Sequence, residues 1–328
     1  MSSLESRGER WLAAETAFVE DMAKYWGPWG VNSEVGRLRS LLMHRPGAEI
    51  EGLEDPSEAR WLRAMDPEVA RTQHDRLAAV FRDFGTEVHY VAGQRLDRPN
   101  ALFVRDLVAM TPEGVIVARP AMESRRGEEV AVAGTLASLG VPIIRTVSGR
   151  GTFEGADLMW VDGRTVIVGV GNRSNRTGIA QLEEVLRPQG VENFLYFQVP
   201  YGQAHIDGLF NFADRDLICF FPWQVPFEIV DYLRRRDFRM VEVASPKEAK
   251  EGMATNFIAL EPGTIVMPTG NPMTRSALER EGVKVIEVDV SELQKGWGGI
   301  HCMTAPLFRD PVPAPKISHG ENSEEAER

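Results

Sequence analysis

Residues 296–307 read Gly-Trp-Gly-Gly-Ile-His-Cys-Met-Thr-Ala-Pro-Leu. This stretch places Cys302 behind a Gly-X-Gly-Gly run and next to His301, and Pro306 predicts an end to regular structure soon afterwards. Glycines let a ligand or another backbone approach closely, so a thiol behind them can lie exposed beside a mobile gate, as a nucleophile requires. The alternative is a small buried cysteine beside a tight turn. The nucleophile hypothesis therefore needs a histidine and carboxylates elsewhere in the chain.

The composition is that of an ordinary soluble protein. The 328 residues are 43% hydrophobic and 26% charged, and their net charge of −11 disfavours nucleic-acid or anionic-membrane partners. We find no apolar signal segment and no window of eighteen uninterrupted apolar residues. Cys219 lies in an apolar run typical of a packed strand, and two cysteines cannot form a disulfide framework. We therefore expect a cytoplasmic location and no membrane partner.

Short apolar runs alternate with helical periodicity along most of the chain. The periodicity predicts helices over 4–26, 67–84, 127–139, 175–187, 226–236 and 272–280. Strands are predicted over 37–44, 86–91, 102–104, 107–110, 115–118, 142–146, 158–161, 165–170, 194–199, 217–221, 238–243, 256–260, 264–267 and 283–288. Turn sequences at 112–114, 162–163 and 261–263 separate neighbouring strands as hairpins do. The order is strand–strand–helix–strand, which differs from a strict parallel βαβ sheet.

Four polar stretches lie beside predicted strand ends. Asp106 follows an apolar strand, although a structural pair with Arg105 would also explain it. Arg125 lies in a polar segment at 123–128, where a solvated helix start is the alternative. Glu154 lies among glycine and alanine between two apolar runs, where an unpaired buried charge would cost several kcal/mol. These positions are candidate site residues.

The fourth stretch carries the candidate base. If residues 205–207 form a strand, His205 and Asp207 point to the same side, so an imidazole and a carboxylate face one site. A satisfied structural histidine is the alternative. No cysteine and histidine spacing fits a zinc site, and no phosphate-binding glycine loop opens a helix. We therefore expect a thiol enzyme that needs neither a metal nor a cofactor.

Together these motifs resemble those of the guanidino-group-modifying enzymes, the superfamily of arginine deiminases, dimethylarginine dimethylaminohydrolases and amidinotransferases. The resemblance spans about residues 35–310 and rests on the following residues in order: Asn100, Phe103-Val104-Arg105-Asp106, Arg125, Glu154-Gly155-Ala156-Asp157, Arg173, His205-Ile206-Asp207 and Gly298-Gly299-Ile300-His301-Cys302. It implies an α/β fold, a five-bladed propeller (pentein) of ββαβ units around a central active-site channel. The expected domain is residues 1–310, with a disordered tail over 311–328.

The resemblance also implies roles for single residues. Cys302 is the expected nucleophile, His205 the general acid and base, Glu154 its partner, and Asp106 and Asp207 the carboxylates that bind the guanidinium. The expected substrate-binding residues are Asn100, Phe103, Arg125, Arg173, Trp297 and His301, of which Asn100 and the two arginines match positions that hold the amino-acid end of the substrate. Two departures stand out, since Ala156 replaces a glycine of the usual motif and Trp297 replaces an arginine of typical bacterial arginine deiminases.

The pattern is closest to arginine deiminases. The resemblance thus implies cysteine-dependent hydrolysis of arginine or a close analogue through a covalent amidino-thioether, giving a ureido product such as citrulline plus ammonia. An amidinotransferase and a hydrolase of N-substituted arginines such as dimethylarginine are alternatives. A non-catalytic amino-acid-binding regulator is an alternative of a different class. The expected partner is a small guanidino amino acid, and a homo-oligomer is compatible with the sequence.

Overall fold

Five three-stranded sheets make up the computed structural model, which describes residues 15–53 and 55–312. The strands are β1 (Leu38–Met43), β2 (Glu87–Tyr90), β3 (Val108–Thr111), β4 (Gly114–Val117), β5 (Ile143–Thr146), β6 (Leu158–Asp162), β7 (Thr165–Val170), β8 (Asn193–Gln198), β9 (Phe210–Asp214), β10 (Leu217–Phe220), β11 (Arg239–Glu242), β12 (Ile258–Glu261), β13 (Thr264–Pro268), β14 (Lys284–Val288) and β15 (Ala305–Arg309). The helices are α1 (Phe18–Tyr25), α2 (Pro67–Asp83), α3 (Glu128–Ser138), α4 (Arg176–Leu186), α5 (Phe227–Arg234), α6 (Pro246–Lys250) and α7 (Pro272–Arg280).

Each sheet repeats one arrangement. In four of them the first two strands pair antiparallel, and a helix then returns the chain to a third strand that runs parallel to the second, as in β3–β4–α3–β5. In the remaining sheet β15 takes the place of the first strand, ahead of β1, α2 and β2. Parallel neighbours need such a crossover, whereas antiparallel neighbours need only a tight turn. The strand–strand–helix–strand order predicted from the sequence is therefore confirmed.

The sheets follow one another around a ring. Strand β9 contacts β12, β12 contacts β1, and β15 contacts β3. The turn before β6 (Gly155–Asp157) contacts both β3 and the turn before β9 (Ile206–Gly208), so all five sheets are linked in sequence. The first sheet itself joins both ends of the chain, because β15 pairs antiparallel with β1. Buried Arg309 on β15 donates to the carbonyls of Gly36 and Ala259, at 2.6 and 2.8 Å. These contacts fix the closing strand to two sheets at once.

Helix α2 shows how the local sequence sets an element. The Asp66 carboxylate accepts from the backbone N–H groups of Glu68 and Val69, a helix N-cap, and Pro67 occupies the first turn, where its missing N–H costs nothing. Gly85 follows the helix with φ +88°, the left-handed conformation that a C-terminal glycine cap uses. The helix packs its apolar stripe, which includes Leu77 and Phe81, into the buried core.

Several predicted elements differ from the structure. Pro306 does not end regular structure, because it lies within β15, an edge strand of its sheet where a missing N–H is tolerated. Strand β9 and helix α6 were not predicted. Residues 104–107 form a 3₁₀ turn instead of joining two strands. The N-terminal helix begins at Phe18 in the described part, and residues 4–14 and the predicted tail beyond 312 lie outside it.

Among the described residues, no helix is both long and apolar enough to span a membrane.

Candidate active site

A cavity of about 670 Å³ opens where the chain enters the first strands of the sheets. Short 3₁₀ turns carry Asp106, Asp157 and Asp207 directly before β3, β6 and β9. Asn256 and Cys302 occupy the corresponding segments before β12 and β15. Each of the five sheets thus contributes a polar side chain from the equivalent place, and the ring brings these distant segments together.

Cys302 lies at the wall of this cavity. Its thiol donates to Asp207 Oδ2 at 3.3 Å, and Asn256 Nδ2 donates to the sulfur at 3.2 Å. The prediction of an exposed thiol was wrong, because Cys302 is only 8% exposed. Burial, together with the Asp207 and Asp106 carboxylates, raises the pKa of Cys302 well above its ordinary value. The resting site therefore holds a thiol, and forming the thiolate requires a positive charge nearby.

His205 and Glu154 form a buried pair. The imidazole Nε2 lies 2.6 Å from Glu154 Oε2, and Arg173 Nη1 donates to the same oxygen at 3.0 Å. Burial alone would lower the pKa of His205, but the carboxylates of Asp106, Glu154 and Asp157 outweigh it and raise the pKa to about 10. Burial likewise opposes ionisation of Glu154, yet His205 and the two nearby arginines hold its pKa below the usual range. The pair is an imidazolium and a carboxylate.

The backbone that carries His205 is not the strand predicted from the sequence. Ile206–Gly208 form a 3₁₀ turn that follows an extended His205. Asp157 supports this turn, because its Oδ1 accepts from the Ile206 N–H at 3.3 Å and its Oδ2 from the Ser174 hydroxyl at 2.5 Å. Burial raises the pKa of Asp157 to about 7. His205 and Asp207 still reach one site, although they contact different partners there.

Asp106 is held by Arg125. One Arg125 nitrogen donates to Asp106 Oδ2, and two others donate to Glu128 Oε2 at 2.8 and 3.0 Å. The same guanidinium also donates to the carbonyls of Asn100 and Phe103. In contrast, the buried Asp106 Oδ1 accepts no hydrogen bond from a described residue, since His205 Nδ1 lies 3.6 Å away, and Asp106 lines the cavity. One carboxylate oxygen is thus fixed while the other is available to a bound group.

His301 hydrogen-bonds Asp207 in the structure. Its Nδ1 lies 2.9 Å from Asp207 Oδ2, and its Nε2 lies 3.9 Å from Glu34 Oε2. Glu34 is buried and also accepts from Arg105 at 3.0 Å. Burial opposes its ionisation, but Arg105 and His301 keep the pKa of Glu34 far below the usual range. His301 is not among the residues that line the cavity, so its predicted contact with substrate stays a prediction.

The other predicted substrate-binding residues line the cavity. Asn100 is satisfied within the protein, since its Oδ1 accepts from Trp61 Nε1 at 2.7 Å and its Nδ2 donates to the Ala59 carbonyl at 2.9 Å. Phe103 and Trp297 both border the opening, and the Trp297 side chain is half exposed.

The glycines before Cys302 serve close packing. A Cβ added at Gly298 would collide with the Phe103 ring, and one added at Gly299 would lie 2.6 Å from Asn256 Oδ1. Neither glycine has a left-handed φ, whereas Trp297 does, at +67°. In the structure these glycines let Phe103 and Asn256 approach the loop that carries Cys302, and the mobile gate predicted from them stays a prediction.

Sequence reasoning missed Asn256. This buried side chain accepts from the Cys302 N–H at 3.2 Å through Oδ1 and donates to the sulfur through Nδ2, although the two residues are 46 positions apart. It stands in a loop without charged neighbours, and only its equivalence to the other entry segments could have marked it.

The ligand atoms of Asp106, Glu154 and His205 lie within 4.8 Å of one another, a spacing that a metal ion can bridge. In the structure Arg125 and Arg173 already pair with the two carboxylates, and the imidazole bonds Glu154. This donor set is therefore charge-balanced by protein groups.

Comparison with known proteins now complements the geometry. Residues 63–309 match the family model described as N,N dimethylarginine dimethylhydrolase, eukaryotic. The chain belongs to this family. A dimethylarginine dimethylaminohydrolase of Pseudomonas aeruginosa is 31% identical over 213 residues, which cover 63% of this chain and 76% of that protein. An arginine deiminase of Lactococcus lactis is 24% identical and covers 85% and 98%, respectively.

A solved structure gives the same relationship. The Pseudomonas aeruginosa dimethylarginine hydrolase in complex with citrulline superposes with a TM-score of 0.67 at 25% identity, covering 84% of this chain and all of that one. The predicted superfamily and its α/β propeller fold are confirmed. The matched family model is that of the dimethylarginine hydrolases, whereas the sequence motifs placed arginine deiminases first. As a member of this family, the chain is a hydrolase of guanidino C–N bonds, and its ligand is a small guanidino compound.

Proposed function

We propose that the chain hydrolyses the guanidino group of L-arginine or a close N-substituted analogue through a covalent intermediate on Cys302. The observation that carries the proposal is that Cys302, Asp106 and His205 line one cavity, while Asp207 contacts the sulfur and Glu154 contacts the imidazole. A guanidinium is a planar cation that pairs with carboxylates through several N–H groups. The available Asp106 Oδ1 and the Asp207 carboxylate supply such partners on the two sides of the thiol.

The substrate itself supplies the missing positive charge. Two carboxylates near a buried sulfur disfavour the thiolate, and a guanidinium bound between them offsets both charges. As the guanidinium binds, the Cys302 thiol releases its proton to solvent. The thiolate then forms a C–S bond to the guanidino carbon while the C–N bond to the departing amine breaks, and imidazolium His205 gives that amine its proton. Water attacks next, His205 takes its proton, and cleavage of the C–S bond releases the ureido product and the thiolate.

Arg173 is the better placed of the two arginines to bind the substrate carboxylate. Arg125 donates to two carboxylates and two carbonyls, so it orients Asp106. Arg173 lines the same cavity and uses one nitrogen for Glu154, and its remaining donors have no described partner. Both roles are part of the proposal.

The test is to incubate the protein with L-arginine, asymmetric dimethyl-L-arginine and agmatine, and to identify the products by mass spectrometry. We expect citrulline from the two amino acids and none from Cys302→Ser, because an alcohol is far less ionised than a thiol. Cys219→Ser is the matched control, since Cys219 is buried in a strand away from the cavity. Ornithine formed only when an amine such as glycine is added would show amidino transfer and would overturn the hydrolase proposal.

A further inference from the structure

A second cavity of about 300 Å³ adjoins the first at the nucleophile. Both cavities are lined by His205, Trp297, Gly298 and Cys302. They differ in the carboxylate that each contains, because Asp106 lines the first and Asp207 lines the second. The site therefore opens on two sides of the reacting sulfur.

This geometry assigns different ends of a substrate to the two cavities. Arg173 and Asn100 line only the first cavity, so the amino-acid end of the proposed substrate lies there. A guanidino carbon at Cys302 then turns its far nitrogen towards Asp207 and the second cavity. His205, which gives a proton to the departing amine in the proposed reaction, borders this cavity as well.

The second cavity is larger than ammonia or a methylated amine requires. Water occupies roughly 30 Å³ per molecule, so 300 Å³ corresponds to about ten such volumes. Its wall includes apolar Leu209, Phe221 and Met253, and the amides of Gln203 and Gln224, which bond each other at 2.8 Å. Lys250 also lines the wall, and it forms no ion pair with a described residue. An apolar chain with an acidic end matches this wall.

Backbone strain is concentrated around the two cavities. Four described non-glycine residues have φ in the left-handed region, and three of them, Arg60, Met253 and Trp297, line a cavity wall. Such conformations cost of order 1–3 kcal/mol and persist where the surroundings impose them, commonly at ligand sites. Met253 lines the second cavity alone, so each of the two cavities has a wall residue in this left-handed conformation.

We propose that the second cavity binds a substituent on the departing guanidino nitrogen, so that the protein acts on Nη-substituted arginines with groups larger than methyl, above all acidic alkyl groups. This inference rests on the proposed function for the position of the guanidinium. The products are citrulline and the substituted primary amine, which leaves with the proton from His205.

Binding and turnover are measured separately so that the two proposals fail in different ways. The ligands are L-arginine and its Nη-methyl, Nη-butyl, Nη-(3-carboxypropyl) and Nη-(4-aminobutyl) derivatives. Dissociation constants are measured on Cys302→Ser by calorimetry, and kcat/KM on the wild-type protein. We expect the carboxypropyl compound to bind at least as tightly as the methyl compound, and the aminobutyl compound to bind at least tenfold more weakly.

Gly208 offers a way to fill the cavity. It lines only the second cavity, its φ is not left-handed, and an added Cβ meets just one atom, Gln203 Oε1 at 4.0 Å. Gly208→Val, in the Cys302→Ser background, should lower the affinity for the butyl compound relative to the methyl compound by at least tenfold. Gly134→Val is the matched control, because Gly134 lies on α3 with no atom within 4 Å of an added Cβ. Lys250→Met should reduce the preference for the carboxypropyl over the butyl compound about two- to fivefold.

Different results would refute the second-cavity proposal and the hydrolase proposal. If the wild-type protein hydrolyses the methyl compound but Cys302→Ser binds the butyl and carboxypropyl compounds a hundredfold more weakly than the methyl compound, the second-cavity proposal is wrong and the hydrolase proposal stands. If the substituted compounds bind in the expected order and nothing is turned over, the hydrolase proposal fails alone. If Gly208→Val does not fold, the ligand series on Cys302→Ser still decides.

Discussion

Replacing Asn256 tests how the structure tunes the nucleophile. Asn256 makes two contacts with Cys302, one from its amide N–H to the sulfur and one from its amide oxygen to the backbone N–H, both at 3.2 Å. Asn256→Ala removes both contacts. Asn256→Asp keeps an oxygen for the backbone N–H but replaces the donor beside the sulfur with a second oxygen. The two variants therefore separate positioning of the loop from stabilisation of the thiolate.

The magnitude follows from the lost contact. A hydrogen bond to a charged group contributes about 1.5–3 kcal/mol, which corresponds to roughly one to two pKa units of the thiol. The pKa of Cys302 is already high, so the thiolate fraction falls about ten- to hundredfold in Asn256→Ala. In Asn256→Asp the thiolate fraction of Cys302 should fall further, because a carboxylate beside the sulfur disfavours the negative charge of the thiolate.

Two rates report the thiolate. Alkylation of Cys302 by iodoacetamide is followed by peptide mass spectrometry at pH 8, and kcat/KM is measured on the best substrate. Asn193→Ala is the control, since Asn193 is exposed and, among the described residues, its side chain hydrogen-bonds Thr165 alone. Alkylation and kcat/KM within threefold of wild type in both Asn256 variants would refute this account of the sulfur.

Three further predictions concern substrate binding, packing and buried charge. Arg173→Met should weaken kcat/KM for arginine more than for agmatine by at least about tenfold, because a charge-assisted contact is lost; an equal loss for both compounds would remove the carboxylate role. Gly298→Ala should lower the free energy of unfolding by about 1–3 kcal/mol, because the added methyl group collides with Phe103. Chemical denaturation measures this loss, and Gly134→Ala is the control that should not destabilise the protein. Equal stability of the two variants would contradict the packing. Glu34→Gln should lower the free energy of unfolding by about 3–5 kcal/mol, because it leaves buried Arg105 unpaired. Asp310→Asn, at the exposed pair with Arg39, should cost much less. Similar losses in the two variants would contradict the buried pair.

Local sequence predicted the elements whose signals are local. Helix α2 has its aspartate cap, proline and closing glycine in the sequence itself, so its bounds agree within one residue. Strand β15 was not predicted, because the tolerance of Pro306 depends on its place at the edge of a sheet built with β1. Its partner lies at the other end of the chain, which periodicity cannot reveal.

The site residues also divide into those that the local sequence indicates and those that depend on distant parts of the chain. Residue type was enough to identify five candidate site residues, and the structure brings all five together: Cys302, His205, Glu154, Asp106 and Asp207. The burial of Cys302 and its contact with Asn256 arise only when the ring closes, so residue type and spacing did not indicate them. The engagement of Arg125 by Glu128 was equally invisible, since both residues were consistent with a solvated helix start.

The strand that pairs with β1 is also the last one to be synthesised. A nascent chain that has emerged as far as residue 288 contains every strand of four sheets, while β1 still lacks its partner β15. Cys302 emerges only three positions before β15 begins. The same short C-terminal stretch therefore covers the open edge of β1 and supplies Cys302, the proposed nucleophile. A chain that ends before residue 302 lacks both the strand that pairs with β1 and the thiol of the proposed reaction.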